Sequence, residues 1–280
     1  MQGNSRLRPP SVPPGGGDGR GFALQRGEGA DEHPRALDAL VVSDLHYVRL
    51  AQHVPTIAKR RSELGRAMLR ATFQRMQEGG IAIDLAIVLG DVVDDGKAVG
   101  AERDLTEIAR ELHSLGVPVL AVPGNHDGDL QRYGAIFGNG PGLFRVRDHG
   151  FYVFRDWIGP GDVTVRPPGA VRMPLQIAAQ APELPLVALQ HNPLHPRIER
   201  DYPYMLVHAE TVMDAYREAR VVLSLSGHYH AGQAAHEVDG VTYYTVPALC
   251  EAPFRFAHLH LAGRSVQLHE YSLEADPRRS

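Results

Sequence analysis

An α/β fold is predicted by two features of the chain: short apolar runs alternate with amphipathic stretches, and polar clusters begin where the apolar runs stop. Leu40-Val41-Val42 has the composition of a strand buried on both faces. Leu69, Phe73 and Met76 then carry the i, i+4, i+7 spacing of a helix face, which Gly79-Gly80 terminates. Leu85-Ala86-Ile87-Val88-Leu89 is a second buried strand. Leu105, Ile108, Leu112 and Leu115 mark another helix face, closed by Gly116, and residues 119–122 form a third strand. This βαβαβ order is the pattern of a parallel sheet with short crossovers.

The second half is richer in strands. Residues 151–154, 186–189 and 221–225 are apolar runs, and a helix over 211–219 separates the last two. Residues 242–246 give a further strand. Residues 256–261 and 265–271 form a hairpin turning at Ala262-Gly263-Arg264. Ahead of all this, residues 1–36 contain Pro9-Pro10, Pro13-Pro14 and Gly15-Gly16-Gly17. Such a segment buries too little apolar surface to offset its ordering entropy, so it is predicted to be disordered. A single domain is placed at residues 37–274.

Composition narrows the function. With 280 residues, 43% of them hydrophobic and 22% charged, the chain can build the core of an ordinary globular protein. A formal net charge of -4 argues against a broadly basic nucleic-acid surface. The one cysteine, Cys250, excludes an intramolecular disulfide framework and a cysteine-built metal cage, and is expected as a small buried apolar residue. No apolar stretch approaches the ~20 residues needed to span a bilayer. Met1-Gln2-Gly3-Asn4-Ser5-Arg6 leads into Pro and Gly rather than an apolar segment, so a cytoplasmic location with no membrane partner is expected.

The chemistry lies in four clusters and one isolated histidine: Asp44-Leu45-His46, Gly90-Asp91-Val92-Val93-Asp94, Gly124-Asn125-His126-Asp127, His191 and Gly227-His228-Tyr229-His230. Each follows an apolar run. In open α/β sheets ligands bind beyond the carboxyl ends of the strands, so five strand ends bearing matched ligand-type residues argue for one shared site. The donors are carboxylate, imidazole and amide only, a set that suits Mn, Fe, Zn or Co. Two such ions about 3.5–4 Å apart clamp the attacking and leaving oxygens of an in-line displacement and bring the pKa of bound water towards about 7. Ions that close need a bridging anion, and Asp91, directly after a glycine, is suited to the task. The pattern points to an enzyme that attacks phosphate esters with a metal-held hydroxide.

This ordered set, Asp-x-His, Gly-Asp-x-x-Asp, Gly-Asn-His-Asp, a lone His and Gly-His-x-His, resembles the calcineurin-like metallophosphoesterase superfamily over roughly residues 38–250. The resemblance implies two mixed β-sheets packed face to face with helices outside, a four-layer α/β/β/α sandwich. It implies that Asp44, His46 and His230 hold a first divalent or trivalent metal ion, that Asp91 bridges, and that Asn125, His191 and His228 complete a second. His126 would stabilise the transferring phosphoryl group and protonate the leaving oxygen, with Asp94 orienting it. Two departures bear on substrate. The superfamily's protein Ser/Thr phosphatases carry Arg after Gly-Asp-x-x-Asp and Glu after Gly-Asn-His, where this chain has Asp95 and Asp127. A small phosphate ester is therefore favoured over a phosphoprotein. The segment Gln190-His191-Asn192-Pro193-Leu194-His195-Pro196 is more similar to the class III cyclic-nucleotide phosphodiesterase-like branch, which implies phosphodiester hydrolysis. A DNA or RNA nuclease, and a binding scaffold that kept the fold, are the competing assignments.

Around the clusters, His195 and Tyr47 are candidate substrate contacts, and His53 is placed at the rim or surface. The segment between Gly128 and Arg172 is expected to supply pocket-lining loops. His258 and His260 alternate on one strand and are expected on an exposed β-face. His113 is expected to cap its helix or face solvent.

Overall fold

The computed structural model describes residues 35–49 and 57–273. The expectations for residues 1–34, for His53 and for the domain end at 274 fall outside them. The first half runs β1 (Leu37–Val42), α1 (Gly65–Glu78), β2 (Leu85–Val88), α2 (Ala101–His113) and β3 (Val119–Ala121). Strands β1, β2 and β3 pair in parallel, Ala39 opposite Leu85 and Ala86 opposite Val119. They read as unbroken apolar runs because both of their faces are covered.

Next come α3 (Leu130–Phe137), β4 (Gly142–Val146), β5 (His149–Val153), the short pair β6 (Trp157–Ile158) and β7 (Thr164–Val165), and α4 (Pro168–Gln180). The chain closes with β8 (Leu186–Leu189), α5 (Ala209–Glu218), β9 (Leu223–Ser226), β10 (Gln233–Val238), β11 (Val241–Thr245), β12 (Arg255–Ala262) and β13 (Ser265–Ser272). The terminal hairpin returns to the first sheet, where β12 lies antiparallel to β1, giving the order β13-β12-β1-β2-β3. The second sheet has the order β10-β11-β9-β8-β5-β4, parallel in its centre with antiparallel edges.

The period of two along each strand sorts side chains into layers. Leu37, Ala39 and Val41 of β1 meet Phe151, Val187, Leu189, Leu223 and Leu225 of the second sheet in a core between the sheets. Leu40 and Val42 face the other way, against Leu69, Phe73 and Met76 of α1 and Leu105, Ile108 and Leu112 of α2. Tyr152, Leu186 and Ala188 pack outward on Ile177 of α4 and on Val212 and Tyr216 of α5. The molecule is thus the α/β/β/α sandwich that the motif resemblance implied.

Several elements escape the sequence pattern for identifiable reasons. The segment expected to be loops beyond Gly128 contains α3, β4, the β6–β7 pair and the start of α4. Helix α3 is only 8 residues long, capped by Asp129 accepting from Arg132 N and stopped by Gly138 at φ 74°. Helix α4 carries Pro174 inside and buries only that residue and Ile177, so its periodicity is faint. Strand β10 is a largely exposed edge, without an apolar run. His258 and His260 are not on a free face. Both contact the Asp38 carboxylate, at 2.7 and 2.9 Å. No helix among the described residues is long and apolar enough to cross a membrane.

Leu259 of β12 is fully buried between the sheets. Leu259→Ala is expected to destabilise the fold by about 2–5 kcal/mol, read as a lower urea midpoint at unchanged m-value.

Candidate metal centre

The parallel strands of both sheets end at one edge, and the polar clusters follow them. Asp44 and His46 lie just past β1, Asp91 and Asp94 past β2, Asn125 and His126 past β3, His191 past β8, and His228 and His230 past β9. The chain turns sharply there. Asp44, His46, Asp91 and His228 all have left-handed backbone, with φ of 52°, 45°, 50° and 66°. Such conformations cost roughly 1–3 kcal/mol each and persist only where neighbours hold them. Here the loops hold one another: Asp44 N donates to Gly90 O at 3.0 Å, His46 N to Asp91 O at 2.9 Å, Tyr47 N to Val92 O at 2.8 Å, and Gly227 N to His191 O at 2.9 Å.

Two motif glycines are there to make room. A Cβ on Gly124 would collide with Asp91 Oδ1, and one on Gly227 with Ser43 Oγ and with Asp44 Oδ2. Removing the side chain lets the loops close until the functional groups converge. His46 Nε2 lies 3.2 Å from His230 Nε2, 3.6 Å from Asp91 Oδ2 and 3.9 Å from Asp44 Oδ1. His230 Nε2 is 3.4 Å from Asp44 Oδ1. On the other side of Asp91, His191 Nε2 is 3.3 Å from both Asp91 Oδ2 and Asn125 Oδ1. The His228 ring centroid is 4.7 Å from that of His191. Ligand atoms of His46, Asp91 and His126, and of Asp91, His191 and His228, each fall within 4.8 Å of one another.

The surroundings decide which atom each group presents. His191 Nδ1 donates to Leu89 O at 2.6 Å, and His230 Nδ1 to Glu251 Oε1 at 2.6 Å, so both rings turn Nε2 inward. Ser43 Oγ and His228 N both donate to Asp44 Oδ2, leaving Oδ1 with no hydrogen-bond partner; His228 Nε2 is likewise buried and without one. Asp91 Oδ1 accepts from His126 N at 2.9 Å. Burial opposes the charge on Asp44, but the His230 contact outweighs it and holds the carboxyl down at about 2. Asp91 is pulled well below the usual range against its burial, chiefly by His191. Burial keeps His46 down at about 4 and His228 at about 3, the latter helped by the charge of His191. These two rings are neutral, with bare nitrogen available for ligation.

The structure brings all seven candidate ligands and His126 to this one place. Asp94 arrives in a different posture from the one expected. His126 Nδ1 donates to the main-chain carbonyl of Asp94 at 2.5 Å, while the Asp94 carboxylate accepts from Arg60 Nη1 at 2.9 Å and faces His46 Nδ1 at 3.3 Å. Tyr47 is turned into the core, 5% exposed, with its hydroxyl donating to Glu107 Oε2 at 2.9 Å. His195 lies in a neighbouring groove, its ring 5.0 Å from His236 and 5.6 Å from Tyr243. Neither is among the residues lining the cleft over the centre.

That cleft, of about 340 Å³, is lined instead by Lys59, Arg60, Asp162, Tyr202, Tyr204 and Glu251, together with Ile57 and the polar cluster. None of these six carries a motif. Asp127 stood inside a motif, yet its work was not legible. Its Oδ1 accepts from Val92 N and Val93 N, at 2.7 and 3.2 Å, and its Oδ2 from Gly124 N at 2.8 Å, clamping the Asp91 loop to the Asn125 loop. Burial, then the charge of Asp91, push its carboxyl up to about 7. Cys250 is buried as expected, but its sulfur comes within 4.8 Å of the ligand atoms of His46 and His230. Burial raises that thiol well above its ordinary range, which keeps it neutral.

The model of the calcineurin-like phosphoesterase family matches residues 37–232. Among solved structures, a dimetal phosphatase from Danio rerio superposes with a TM-score of 0.65 at 15% identity, covering 85% of this chain and 99% of that one. A putative 5'-nucleotidase from Staphylococcus aureus (TM-score 0.58, 13% identity) covers 87% of this chain and 55% of its own. A purple acid phosphatase from yellow lupin (TM-score 0.58, 10% identity) covers 87% and 52%. At these identities the likeness shows the fold alone. No curated protein sequence matches the chain.

Two substitutions test the architecture of the loops. Gly227→Ala is expected to cost about 1–3 kcal/mol by overpacking against Ser43 and Asp44. Asp127→Ala leaves buried N–H donors unpaired, at about 1–3 kcal/mol for each. Both are read as lowered urea midpoints, and wild-type stability in either variant would contradict this description of the loops.

Proposed function

This chain belongs to the calcineurin-like phosphoesterase family, and from that premise we propose that it is a two-metal enzyme whose preferred substrates are small phosphodiesters. As a member of that family it is a metal-dependent phosphoester hydrolase. In the proposed assignment Asp44, His46 and His230 hold one cation, Asn125, His191 and His228 hold the other, and Asp91 serves both.

One observation carries this assignment. Asp44 Oδ1 and His228 Nε2 are buried in the strand-end cluster without hydrogen-bond partners, Asp44 Oδ1 facing His230 Nε2 at 3.4 Å. An unsatisfied buried polar atom costs about 1–3 kcal/mol, and more if charged, so their survival in a well-packed centre is best explained by a cation that takes them up. The donors nearest them are nitrogen and oxygen, which favours Mn, Fe, Zn or Co. When bound, two such cations supply Lewis acidity toward phosphoryl oxygens and a nucleophile drawn from water near neutral pH.

The chain's own residues do the rest. His126 fixes its Nδ1 proton on the Asp94 carbonyl, so Nε2 is the atom that gives a proton to the leaving oxygen. The Asp94 carboxylate, with Arg60, positions His46. It acts on the first ligand, a revision of the role expected for it. A cleft of about 340 Å³ suits a small ester. Asp95 and Asp127, standing where the protein phosphatases have Arg and Glu, support a small ester over a phosphoprotein, and the Gln190–Pro196 segment supports the preference for diesters.

Asp91→Asn is expected to lower the content of both metals, measured by elemental analysis, because the shared ligand loses its charge. His126→Ala is expected to keep two metals per chain and to slow hydrolysis of an aryl phosphodiester with Mn²⁺ by about 10²–10⁴-fold. Loss of metal from His126→Ala would show that His126 is a ligand. If the metal-loaded wild type cleaves neither an aryl phosphodiester nor an aryl phosphomonoester, the proposed function fails.

A further inference from the structure

Two exposed apolar side chains stand in the cleft over the metal centre. The described residues include five large hydrophobics that are conspicuously exposed, Ile57, Val99, Trp157, Val163 and Tyr202. Ile57 (40%) and Tyr202 (39%) line the cleft over the metal centre, and Trp157 and Val163 belong to the β6–β7 segment to which Tyr202 is bonded. Exposed apolar side chains that line a polar cleft offer a ligand surface there.

Tyr202 is held as a platform. Its hydroxyl donates to Asp162 Oδ2 at 2.7 Å, and its ring lies 4.8 Å from that of Tyr204. Tyr204 is packed against Tyr229 at 5.1 Å, and both tyrosine rings stand close to the His228 ring, at 5.6 Å for Tyr202 and 5.5 Å for Tyr204. The strap carrying them is tied to the His191 loop: Asn192 Nδ2 donates to Tyr204 O at 3.0 Å, and Leu206 N to Pro193 O at 3.2 Å. A half-exposed ring beside a proposed metal ligand lines the cleft that would receive the ester.

The charges around it select the arm that fits. Asp162 lines the same wall, and Lys59 is drawn to Glu251 at 3.4 Å. A second anionic group on this side would meet the Asp162 carboxylate, whereas a neutral ring would stack on Tyr202 beside Ile57.

We propose that Tyr202 is a specificity residue that stacks on a neutral aromatic arm of the ester, so that the substrates are phosphodiesters bearing one planar ring. This rests on the two-metal reading of the centre. The test uses non-hydrolysable arms on the full-length, Mn²⁺-loaded protein, with benzylphosphonate and n-butylphosphonate as competing inhibitors of aryl phosphodiester hydrolysis and as ligands in calorimetry. Benzylphosphonate is expected to bind about threefold to tenfold more tightly, the factor of one aromatic pair. Tyr202→Ala collapses that ratio, and Tyr202→Phe retains it. Equal binding of the two phosphonates by the wild type, or an undiminished ratio in Tyr202→Ala, overturns the proposal while hydrolysis by the wild type leaves the two-metal reading standing. A wild type that neither hydrolyses phosphoesters nor binds either phosphonate sinks both.

Discussion

Asp91 Oδ2 stands between His46 and His191, 3.6 and 3.3 Å from their Nε2 atoms, while Asp91 Oδ1 takes the main-chain N–H of His126. One carboxylate therefore touches groups delivered by strands of both sheets. Everything around it follows from that meeting. The parallel strands β1, β2, β3, β8 and β9 end at the same edge, so their following loops can all reach it. Gly124 lacks a side chain because Asp91 occupies the space where its Cβ would be. Asp127 clamps the loop that carries Asp91 to the loop that carries Asn125.

Such a centre is expensive in stability. Four of its residues sit in left-handed backbone, and it buries several ionisable groups within a few ångströms. The rest of the fold must offset this. Two sheets share one dry core, and each packs helices on its outer face, so the strands that aim the loops are covered on both sides. The rigidity of those strands also explains how left-handed turns survive at their ends: the chain entering each loop has no freedom to relax.

Much of this was legible in the sequence. The βαβαβ half, the closing hairpin and the ligand-type clusters all announced themselves, because a strand buried on both faces is an unbroken apolar run and the polar residue that ends it is conspicuous. What could not be seen depended on main-chain atoms or on exposed elements. His126 is oriented by the carbonyl of Asp94 and not by its carboxylate, and no residue type signals a carbonyl. Tyr47 turned inward because a bridge to Val93 directs that stretch toward Glu107 of α2. His258 and His260 turned out to grip Asp38, a residue 220 positions from the first of them. Helix α4, interrupted by Pro174, and the exposed edge β10 lack the periodicity that betrays an element. The Tyr202–Tyr204 strap has no motif, and its place depends on the tie from Asn192 Nδ2 to a main-chain carbonyl, that of Tyr204.

The claim on which the account depends is that Asp91 is shared by two cations. Anomalous diffraction from crystals grown with Mn²⁺ measures this directly. Two peaks about 3.5–4 Å apart are expected, flanking the Asp91 carboxylate, one beside His46 and His230 and the other beside His191 and His228. A single peak, or none, in a crystal whose protein is otherwise fully ordered would contradict it.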